Sequence, residues 1–329
     1  MTGWAPRQVP FRFQLGDQTL FSVSLPLQMR TMQLGDGVDA VIDSFPPLDL
    51  LASGSQGFGV RALPLAAVQT AGHTATGYLC YVQSLYRRYY IDLHSGFDAY
   101  KGRFSAKSRS TITRKVNRYA RHCGGAVSWK IFKAPADMLE FHRLARAVSS
   151  RSYQERLLDA GLPDSQHFVS TMQELARLDL VRAYILYDGD RPVSYLYCPV
   201  EAGVLIYAHL GYDPEYLKMS VGTVLQWLAL ESVFAEGRFR FFDFTEGQSE
   251  HKRLFATHDI QCANVFFMRP SLRNKLLVRS HRAFDRLSQL IGIGLERLGM
   301  KTKVKRLLRF GAVSGSTGVG SGAHESTVK

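Results

Sequence analysis

The clearest alternation of apolar and polar positions lies in residues 203–247, where it predicts a strand, a loop, a helix and a second strand. Residues 204–210 form a mostly apolar run of the length expected for a buried strand. Apolar residues then recur at helical spacing over residues 221–236, and Gly237 follows as the expected left-handed residue at the helix end. Residues 238–244 are apolar again and predict the second strand.

The loop that leads into this helix consists mostly of small or basic residues, in the order Lys218, Met219, Ser220, Val221, Gly222 and Thr223. The first N–H groups of a helix have no intrahelical acceptor, and small side chains allow a phosphate to approach them. The loop therefore predicts a binding site for a cofactor that carries a phosphate or pyrophosphate. The alternative is a well-packed connection between a strand and a helix.

The rest of the pattern divides the chain into four segments. Residues 1–125 are rich in strand-forming residues and end in a basic helix over residues 108–123. Residues 126–270 follow the order β-α-α-β-β-β-α-β-α-β. Residues 271–310 are helical and basic, and the Gly/Ser-rich composition of residues 311–329 predicts disorder. The helices predicted within the second segment are 135–151, 165–178, 221–236 and 249–256.

Basic residues are concentrated in two runs of this chain of 329 residues, whose formal net charge is +13. Residues 101–121 contain eight Lys or Arg and no acidic residue, whereas residues 271–310 contain eleven against Asp285 and Glu296. Runs of this kind attract polyanions such as nucleic acid, acidic lipid headgroups or phosphate-rich cofactors. The alternative for each run is a solvated helix face.

Composition and hydropathy predict a soluble, cytoplasmic globular protein. Hydrophobic residues make up 46% of the chain, but no apolar run reaches the length of about 18 residues that a membrane span needs. The first residues contain no apolar stretch typical of a secretory signal. The four cysteines form no CxxC pair, so we expect reduced thiols rather than disulfides or a zinc site. They are Cys80, Cys123, Cys198 and Cys262.

Short motifs follow one another in a fixed order between residues 97 and 255. They are Phe97-Asp98-Ala99-Tyr100, Lys107-Ser108-Arg109, Arg114-Lys115-Val116-Asn117-Arg118, Tyr153-Gln154-Glu155-Arg156-Leu157-Leu158, Tyr212-Asp213-Pro214, Ser220-Val221-Gly222, Phe242-Asp243-Phe244-x-x-Gly247 and Lys252-x-x-Phe255. In their order and spacing, the chain resembles the GCN5-related N-acetyltransferases (GNAT). Within that superfamily it resembles the BioF2-like and CelD-like acetyltransferase domains, which are related to the FemAB peptidyltransferases.

The resemblance implies an α/β (α+β) fold, in which helices flank a mixed, mostly antiparallel sheet that opens between its fourth and fifth strands. It also implies a degenerate first half of the same fold within residues 1–125. The implied activity is transfer of an acyl group from acetyl-CoA or another acyl-CoA to an amine or hydroxyl, without a metal. The relatives act in cell-envelope synthesis, so we expect a small-molecule acceptor related to the envelope, to polysaccharide or to lipid.

The pyrophosphate loop of the family has the pattern R/Q-x-x-G-x-G/A, from which this chain departs. If Gly222 takes the place of the second glycine, Ser220 takes the first and Leu217 stands in place of the Arg or Gln. Serine is small enough to leave backbone N–H groups accessible to a phosphate. The resemblance thus implies that the acyl donor is held by Lys218, Ser220, Val221, Gly222 and Thr223.

Four residues are candidates for the chemistry of acyl transfer, which needs a base for the nucleophile and donors for the oxyanion and the leaving thiolate. His209 is a candidate base, and Asp213 lies where it could orient an amine. Asp243 stands among phenylalanines on an apolar strand, where a carboxylate needs a partner, and we predict Lys252 or Arg253 for it. The alternatives are a structural histidine, a turn aspartate and an ion pair that only locks a strand to a helix.

The candidate site also needs a proton donor and a pocket for the acceptor. Acetyltransferases of this fold often place a tyrosine on the helix after the fifth strand, and the corresponding helix has none here. Ser249, His251 or Tyr212 is the predicted substitute. Tyr153, Gln154 and Tyr212 are predicted to bind the acceptor, and for the first two the alternative is an exposed helix end.

Two other functions fit the same sequence. A FemAB-like aminoacyltransferase would take its acyl group from charged tRNA, and the basic runs at 101–121 and 271–310 would bind the tRNA phosphates. A non-catalytic binding module would have kept the fold and lost the donor site. Under the acyl-CoA interpretation, residues 271–310 would rest on an anionic membrane, which predicts a cytoplasmic protein peripheral to the inner face of the membrane.

Overall fold

A computed structural model describes residues 3–16, 18–152 and 161–297 of the chain. Tyr153 and Gln154, two of the predicted acceptor residues, lie outside the described residues, as does the segment after residue 297. Within the described ranges, no helix is long and apolar enough to cross a membrane.

The described residues form eleven strands and nine α-helices. The strands are β1 (Ala5–Leu15), β2 (Gln18–Thr31), β3 (Gly57–Pro64), β4 (Leu79–Asp92), β5 (Ser128–Phe132), β6 (Val181–Asp188), β7 (Arg191–Glu201), β8 (Val204–Ile206), β9 (His209–Tyr212), β10 (Phe241–Asp243) and β11 (His258–Met268). The helices are α1 (Val38–Asp43), α2 (Val68–Thr74), α3 (Phe97–Gly102), α4 (Ala106–His122), α5 (Asp137–Ser149), α6 (Gln166–Arg177), α7 (Val221–Glu236), α8 (Glu250–Phe255) and α9 (Leu272–Arg297). Short 3₁₀ helices occupy Leu65–Ala67 and Pro214–Met219.

All eleven strands join in one mixed, mostly antiparallel sheet, and this confirms the predicted fold class. Along the sheet the order is β1-β2-β3-β11-β4-β10-β8-β7-β6-β5, with β9 paired to β7. Among the described pairs, β2–β3 and β10–β8 are parallel. Strand β11 belongs to the segment 126–270, yet it lies between β3 and β4 of the segment 1–125. The division of the chain into domains stays a prediction.

Helices cover both faces of the sheet because alternate residues of its strands enter different cores. In β6, Tyr184 and Leu186 pack in the core that contains α7, whereas Ala183 and Ile185 pack in the core that contains α5 and α6. Helix α7 is apolar around most of its circumference, as expected for a helix buried between the sheet and helix α4. On the N-terminal part of the sheet, α1 and α2 contribute to one core and α9 to another.

The sheet opens between β9 and β10, beside the start of α7. Ile206 and Asp243 form the last of the three parallel residue pairs that join β8 to β10. The backbone N–H of Tyr207 still donates to the carbonyl of Asp243, at 2.9 Å, but the next N–H, that of Ala208, donates to Tyr197 of β7. From this point β9 pairs only with β7, so a gap separates it from the chain that follows β10.

The structure corrects two sequence predictions for the strands beside the gap. The single strand predicted over residues 204–210 is two strands, β8 and β9, because the backbone changes its hydrogen-bond partner between them. The strand predicted over residues 238–244 is limited to Phe241–Asp243, the residues that pair in register with both β4 and β8. The helices predicted at 108–123, 135–151, 165–178, 221–236 and 249–256 are confirmed as α4 to α8, with ends shifted by at most two residues.

Candidate functional site

The loop that leads into α7 presents unpaired backbone donors beside the gap. Ser220 has φ +56° and ψ +40°, a left-handed conformation that is uncommon for a residue with a side chain, and this side chain makes no capping hydrogen bond. Its carbonyl accepts from the N–H groups of Thr223 and Val224. The N–H groups of Val221 and Gly222 have no acceptor in the described part of the chain. The start of α7 can therefore receive an anion.

Glycines hold β9 close to its neighbours on both faces. A Cβ atom at Gly222 would lie 3.3 Å from Leu210 and 3.4 Å from Tyr212, so α7 lies directly against β9. A Cβ atom at Gly211 would lie 2.3 Å from Cε1 of Tyr195, which is far inside the contact distance. The position of β9 is thus fixed from two sides, and Gly222 contributes both to packing and to the loop.

The remaining predicted donor-binding residues line the same loop. Lys218 lies in the last turn of the 3₁₀ helix Pro214–Met219 and is exposed, and Thr223 in the first turn of α7 is half-buried. An exposed ammonium group beside free N–H groups adds positive charge where a phosphate would lie. The structure therefore brings together all five residues that the resemblance assigned to the donor.

His209 begins β9 and turns to the face of the sheet covered by α5 and α6. Its ring lies 6.1 Å from that of Phe168 and 6.2 Å from that of Tyr197, measured between ring centroids. Burial lowers the pKa of His209 below its ordinary 6.5, so the imidazole is neutral near pH 7. Its ring makes no hydrogen bond to any described residue, which leaves a nitrogen free to accept a proton.

Asp213, the second predicted catalytic residue, is buried and already fully engaged. One carboxylate oxygen accepts from Nε of Arg151 at 2.8 Å and from Nη2 of Arg191 at 2.7 Å, and the other accepts from the N–H of Glu215 at 3.1 Å. Burial would raise its pKa, but the hydrogen bonds from Arg191 and Glu215 and the charge of Arg151 together lower it. We therefore expect Asp213 to anchor the loop after β9 rather than to accept a proton.

Asp243 has a different partner from the one predicted. Its Oδ2 accepts from Nε and Nη2 of Arg88, at 3.0 and 2.5 Å, and its Oδ1 accepts from the N–H of Thr245 at 2.8 Å. Both side chains of the pair are almost completely buried. The prediction that Lys252 or Arg253 neutralises Asp243 is wrong, because Arg88 on the adjacent strand β4 occupies that place.

Lys252, the fourth predicted catalytic residue, lies on α8 and contacts the loop after β10. Its ammonium group donates to the carbonyl of Glu246 at 2.7 Å. Burial lowers its pKa, and the negative charges of Asp243 and Glu246 oppose this effect. Arg253 on the same helix forms a solvent-exposed pair with Glu250. Lys252 therefore stabilises the turn that carries Thr245, a residue with φ +59°.

Of the three predicted proton donors, two have other roles. Ser249 caps α8 by accepting from the N–H of Lys252 at 3.1 Å. His251 contacts Oε1 of the buried Gln226 through Nε2, and burial together with the charges of Lys115 and Lys252 lowers its pKa to about 4. A neutral imidazole is a poor proton donor near pH 7. Tyr212 remains, and its hydroxyl has no hydrogen bond to a described residue.

Helix α4 carries a basic groove that the sequence indicated only as a run of charge. The groove has a volume of about 660 Å³ and is lined by Arg109, Ser110, Thr113, Arg114, Asn117, Ala120, Arg121 and Gly125. None of its three arginines forms an ion pair with a described carboxylate. Helix α4 packs against α7 and against the 3₁₀ helix that precedes it. The basic groove therefore lies on a helix that borders residues 218–223, the loop that leads into α7 and is called the donor loop below.

No metal centre is assembled by the described ranges, since no group of three or more His, Cys, Asp or Glu side chains there could hold an ion. The four cysteines are free thiols, of which Cys198 and Cys262 are buried. Burial raises the pKa of both of these thiols. Neither buried thiol is therefore suited to act as a nucleophile at neutral pH.

Known proteins share this architecture. Residues 106–253 match the sequence model of the acetyltransferase (GNAT) domain family. The crystal structure of FemX is 11% identical to the chain, with a TM-score of 0.53, and the match covers 84% of this chain and 91% of that one. The C-terminal domain of a proposed lysylphosphatidylglycerol synthetase from Agrobacterium fabrum is 9% identical, with a TM-score of 0.51 and coverage of 77% and 80%. Identities this low show a common fold alone, and no curated protein matches the sequence significantly.

Proposed function

We propose that this protein transfers an acyl group from acetyl-CoA or another acyl-CoA to an amine or hydroxyl, because residues 106–253 match the sequence model of the acetyltransferase (GNAT) domain family. The observation that carries the proposal is the gap between β9 and β10, with the unpaired N–H groups of Val221 and Gly222 at its side. The gap offers one free strand edge to an extended chain such as pantetheine. The helix start offers donors and a favourable dipole to its pyrophosphate.

The conformation of Ser220 supports this proposal despite the altered loop pattern. Its left-handed backbone is the one that a glycine adopts easily, so serine preserves the geometry at a cost in strain. Such strain persists where the surrounding structure enforces it, and it is frequent at ligand-binding turns. Lys218 supplies a positive charge beside the loop, although Leu217 stands in place of the usual Arg or Gln.

The chemistry of transfer needs two proton movements, and the described residues offer one group for each. Burial lowers the pKa of His209 and its ring makes no hydrogen bond to a described residue, so it can take the proton that an attacking amine loses. The ring of Tyr212 lies against Gly222, and its hydroxyl, which has no hydrogen bond to a described residue, can give a proton to the departing thiolate. Asp213 and Asp243 hold the loops on the two sides of the gap through their arginine partners.

Thermal unfolding with and without CoA or acetyl-CoA tests the donor. A ligand at about 100 times its dissociation constant adds roughly 2.7 kcal/mol of stability. We expect Lys218→Glu to lose most of this stabilisation, because Lys218 is exposed and its reversal leaves the core intact. Lys133→Glu is the matched control, since Lys133 is equally exposed and lies at the end of β5. No shift by millimolar CoA in the wild-type protein would contradict the proposal.

The basic groove of α4 favours a second candidate, transfer of an aminoacyl group from charged tRNA. Arg109, Arg114 and Arg121 lack carboxylate partners in the described residues, as expected for groups that meet phosphates. Contacts of these three arginines with phosphates predict a loss of tRNA affinity of roughly 40-fold between about 50 and 200 mM salt. Filter binding of charged tRNA at several salt concentrations measures this salt dependence. The double variant Arg114→Glu with Arg121→Glu should depend less steeply on salt. Absence of tRNA binding at low salt excludes this candidate.

A further inference from the structure

Helix α9 presents a strip of leucines to solvent on the side that faces away from the sheet. Four of them are more than half exposed, and they are Leu272 (83%), Leu276 (68%), Leu287 (52%) and Leu290 (67%). Their spacing places them on one face of the helix. Isolated exposed leucines are ordinary on protein surfaces, but four on one face of one helix, with two near each end of the described face, indicate a binding surface.

Basic side chains border this leucine strip along its length. They are Lys275, Arg279 and Arg286, and at 3.6 residues per turn they project next to the leucines, whereas the guanidinium of Arg282 lies over the ring of Tyr81. The acidic residue Asp285 is not part of this border, because it pairs with His281 at 3.0 Å. The outward face of α9 is therefore both apolar and positively charged.

The opposite face of α9 is firmly packed, so the leucine strip is not a displaced part of the core. Leu277 and Val278 are buried in the core that contains β1 and β2. His281 contacts the hydroxyl of Tyr81 at 2.8 Å and the carbonyl of Arg12 at 3.1 Å. The ring of Phe284 packs edge-on against that of Phe13. The sheet holds α9 in place, with its leucine strip outward.

We propose that α9 docks this protein on the surface of an anionic lipid bilayer. A helix lying in the plane of the interface would insert the leucine strip at the boundary between headgroups and acyl chains. Its basic border would meet acidic headgroups, which attract lysine and arginine near the surface. The sequence after the described residues continues this character, with Lys301, Lys303, Lys305, Arg306 and Arg309. The proposal does not depend on the acyl donor.

Charge distinguishes the bilayer from other occupants of this face. A second copy of the chain, related by a two-fold axis, would bring two basic borders together, and their repulsion opposes such a contact. A nucleic acid would satisfy the basic border, but it offers nothing apolar to cover four leucines. An anionic bilayer provides both kinds of surface.

Flotation of the full chain with lipid vesicles tests the proposal. We expect binding to phosphatidylcholine vesicles with about 30% phosphatidylglycerol at low salt, and much weaker binding to phosphatidylcholine alone. Leu276→Glu with Leu287→Glu should reduce the bound fraction about tenfold, and so should Arg279→Glu with Arg286→Glu. Leu50→Glu with Leu139→Glu is the matched control, because these exposed leucines lie outside α9. Unchanged thermal unfolding establishes that each variant is folded.

Several outcomes would overturn the proposal. One is no binding to the anionic vesicles at about 50 mM salt, where screening is weak. Another is binding that survives Leu276→Glu with Leu287→Glu, since the contact would then be electrostatic only. A third is a dimer in light scattering that the leucine variants dissociate, because the occupant would then be a second copy. A fourth is RNA that displaces the protein from vesicles and no longer binds to the leucine variants, because the occupant would then be a nucleic acid.

Discussion

Arg88 of β4 and Asp243 of β10 form a buried ion pair across two adjacent strands, with two hydrogen bonds to a single carboxylate oxygen. The third nitrogen of the guanidinium donates to the carbonyl of Met32 at 2.7 Å. The pair thus connects the segment after β2 with the strand that borders the gap. The neighbouring residue Arg87 pairs with Asp259 at 2.9 Å, but these two side chains are 47% and 36% exposed.

Removal of Asp243 should cost far more stability than removal of Asp259. Asp243→Ala leaves the buried guanidinium of Arg88 without a counter-charge, and such losses cost about 3–5 kcal/mol. Asp259→Ala breaks a solvent-exposed pair and should cost about 0–1 kcal/mol. Urea unfolding of both variants measures the difference. Replacing both Arg88 and Asp243 by apolar residues should recover much of the lost stability. Equal losses in Asp243→Ala and Asp259→Ala would refute this account.

Gly211→Ala should destabilise the protein through a single steric contact. The added Cβ would meet the ring of Tyr195, which is buried and has no space to move. Overpacking of this kind costs about 1–3 kcal/mol. Gly72→Ala on α2 is the control, because nothing lies within 4 Å of its Cβ position and alanine favours a helix. Tyr195→Leu in the Gly211→Ala background should recover part of the stability measured by thermal unfolding.

His251 should make the protein less stable in mild acid. Its pKa is about 4 in the folded state, whereas an unfolded histidine titrates near 6.5, so the unfolded chain binds the proton first. The contribution of His251 to the free energy of unfolding is fully present above pH 6.5. It decreases as the pH falls toward 4, by up to about 3 kcal/mol. His251→Gln should flatten the pH dependence over this window in denaturant titrations. The exposed His167→Gln should leave the curve of the wild-type protein unchanged.

His209 should control the acid side of the rate profile if the protein is an acyltransferase. Its pKa lies below 6.5, so kcat/KM should fall as the pH drops through that lowered value and the base becomes protonated. His209→Gln should reduce kcat by about 10²–10⁴-fold while stabilisation by CoA persists. Thiol release from acetyl-CoA in the presence of candidate amines measures this rate. A variant with wild-type kcat and the same acid limb would exclude His209 as the base.

Local pattern was sufficient to predict helices α4 to α8, but it missed the short helices α1 and α2 in the segment predicted to be rich in strands. Helix α7 was predicted at residues 221–236, and the structure has Val221–Glu236, because apolar residues at helical spacing begin at Val221 and Gly237 marks the end. The break between β8 and β9 was missed, since both pieces are apolar and extended and the change of partner leaves no mark in the periodicity. The order of the sheet also depends on pairings between distant segments, which spacing does not reveal.

The candidate site was predictable where it depends on neighbours in the chain. The donor loop is such a case, because Lys218 to Thr223 are consecutive and precede a helix that pattern alone predicts. The partner of Asp243 is the opposite case: Arg88 is 155 positions away and meets it only through the pairing of β4 with β10. The engagement of Asp213 by Arg151 and Arg191 was missed for the same reason.

Strand β11 is the last of the described strands in chain order, yet it lies between β3 and β4 of the N-terminal segment. About 165 residues separate the end of β4 at Asp92 from the start of β11 at His258. At roughly 5–20 residues per second, a ribosome needs about 8–30 s to make this stretch. Throughout that time β3 and β4 have open edges that other nascent chains could pair with. The N-terminal part of the sheet is therefore completed only after β11 has been made, and a fragment that stops before residue 258 lacks the strand between β3 and β4.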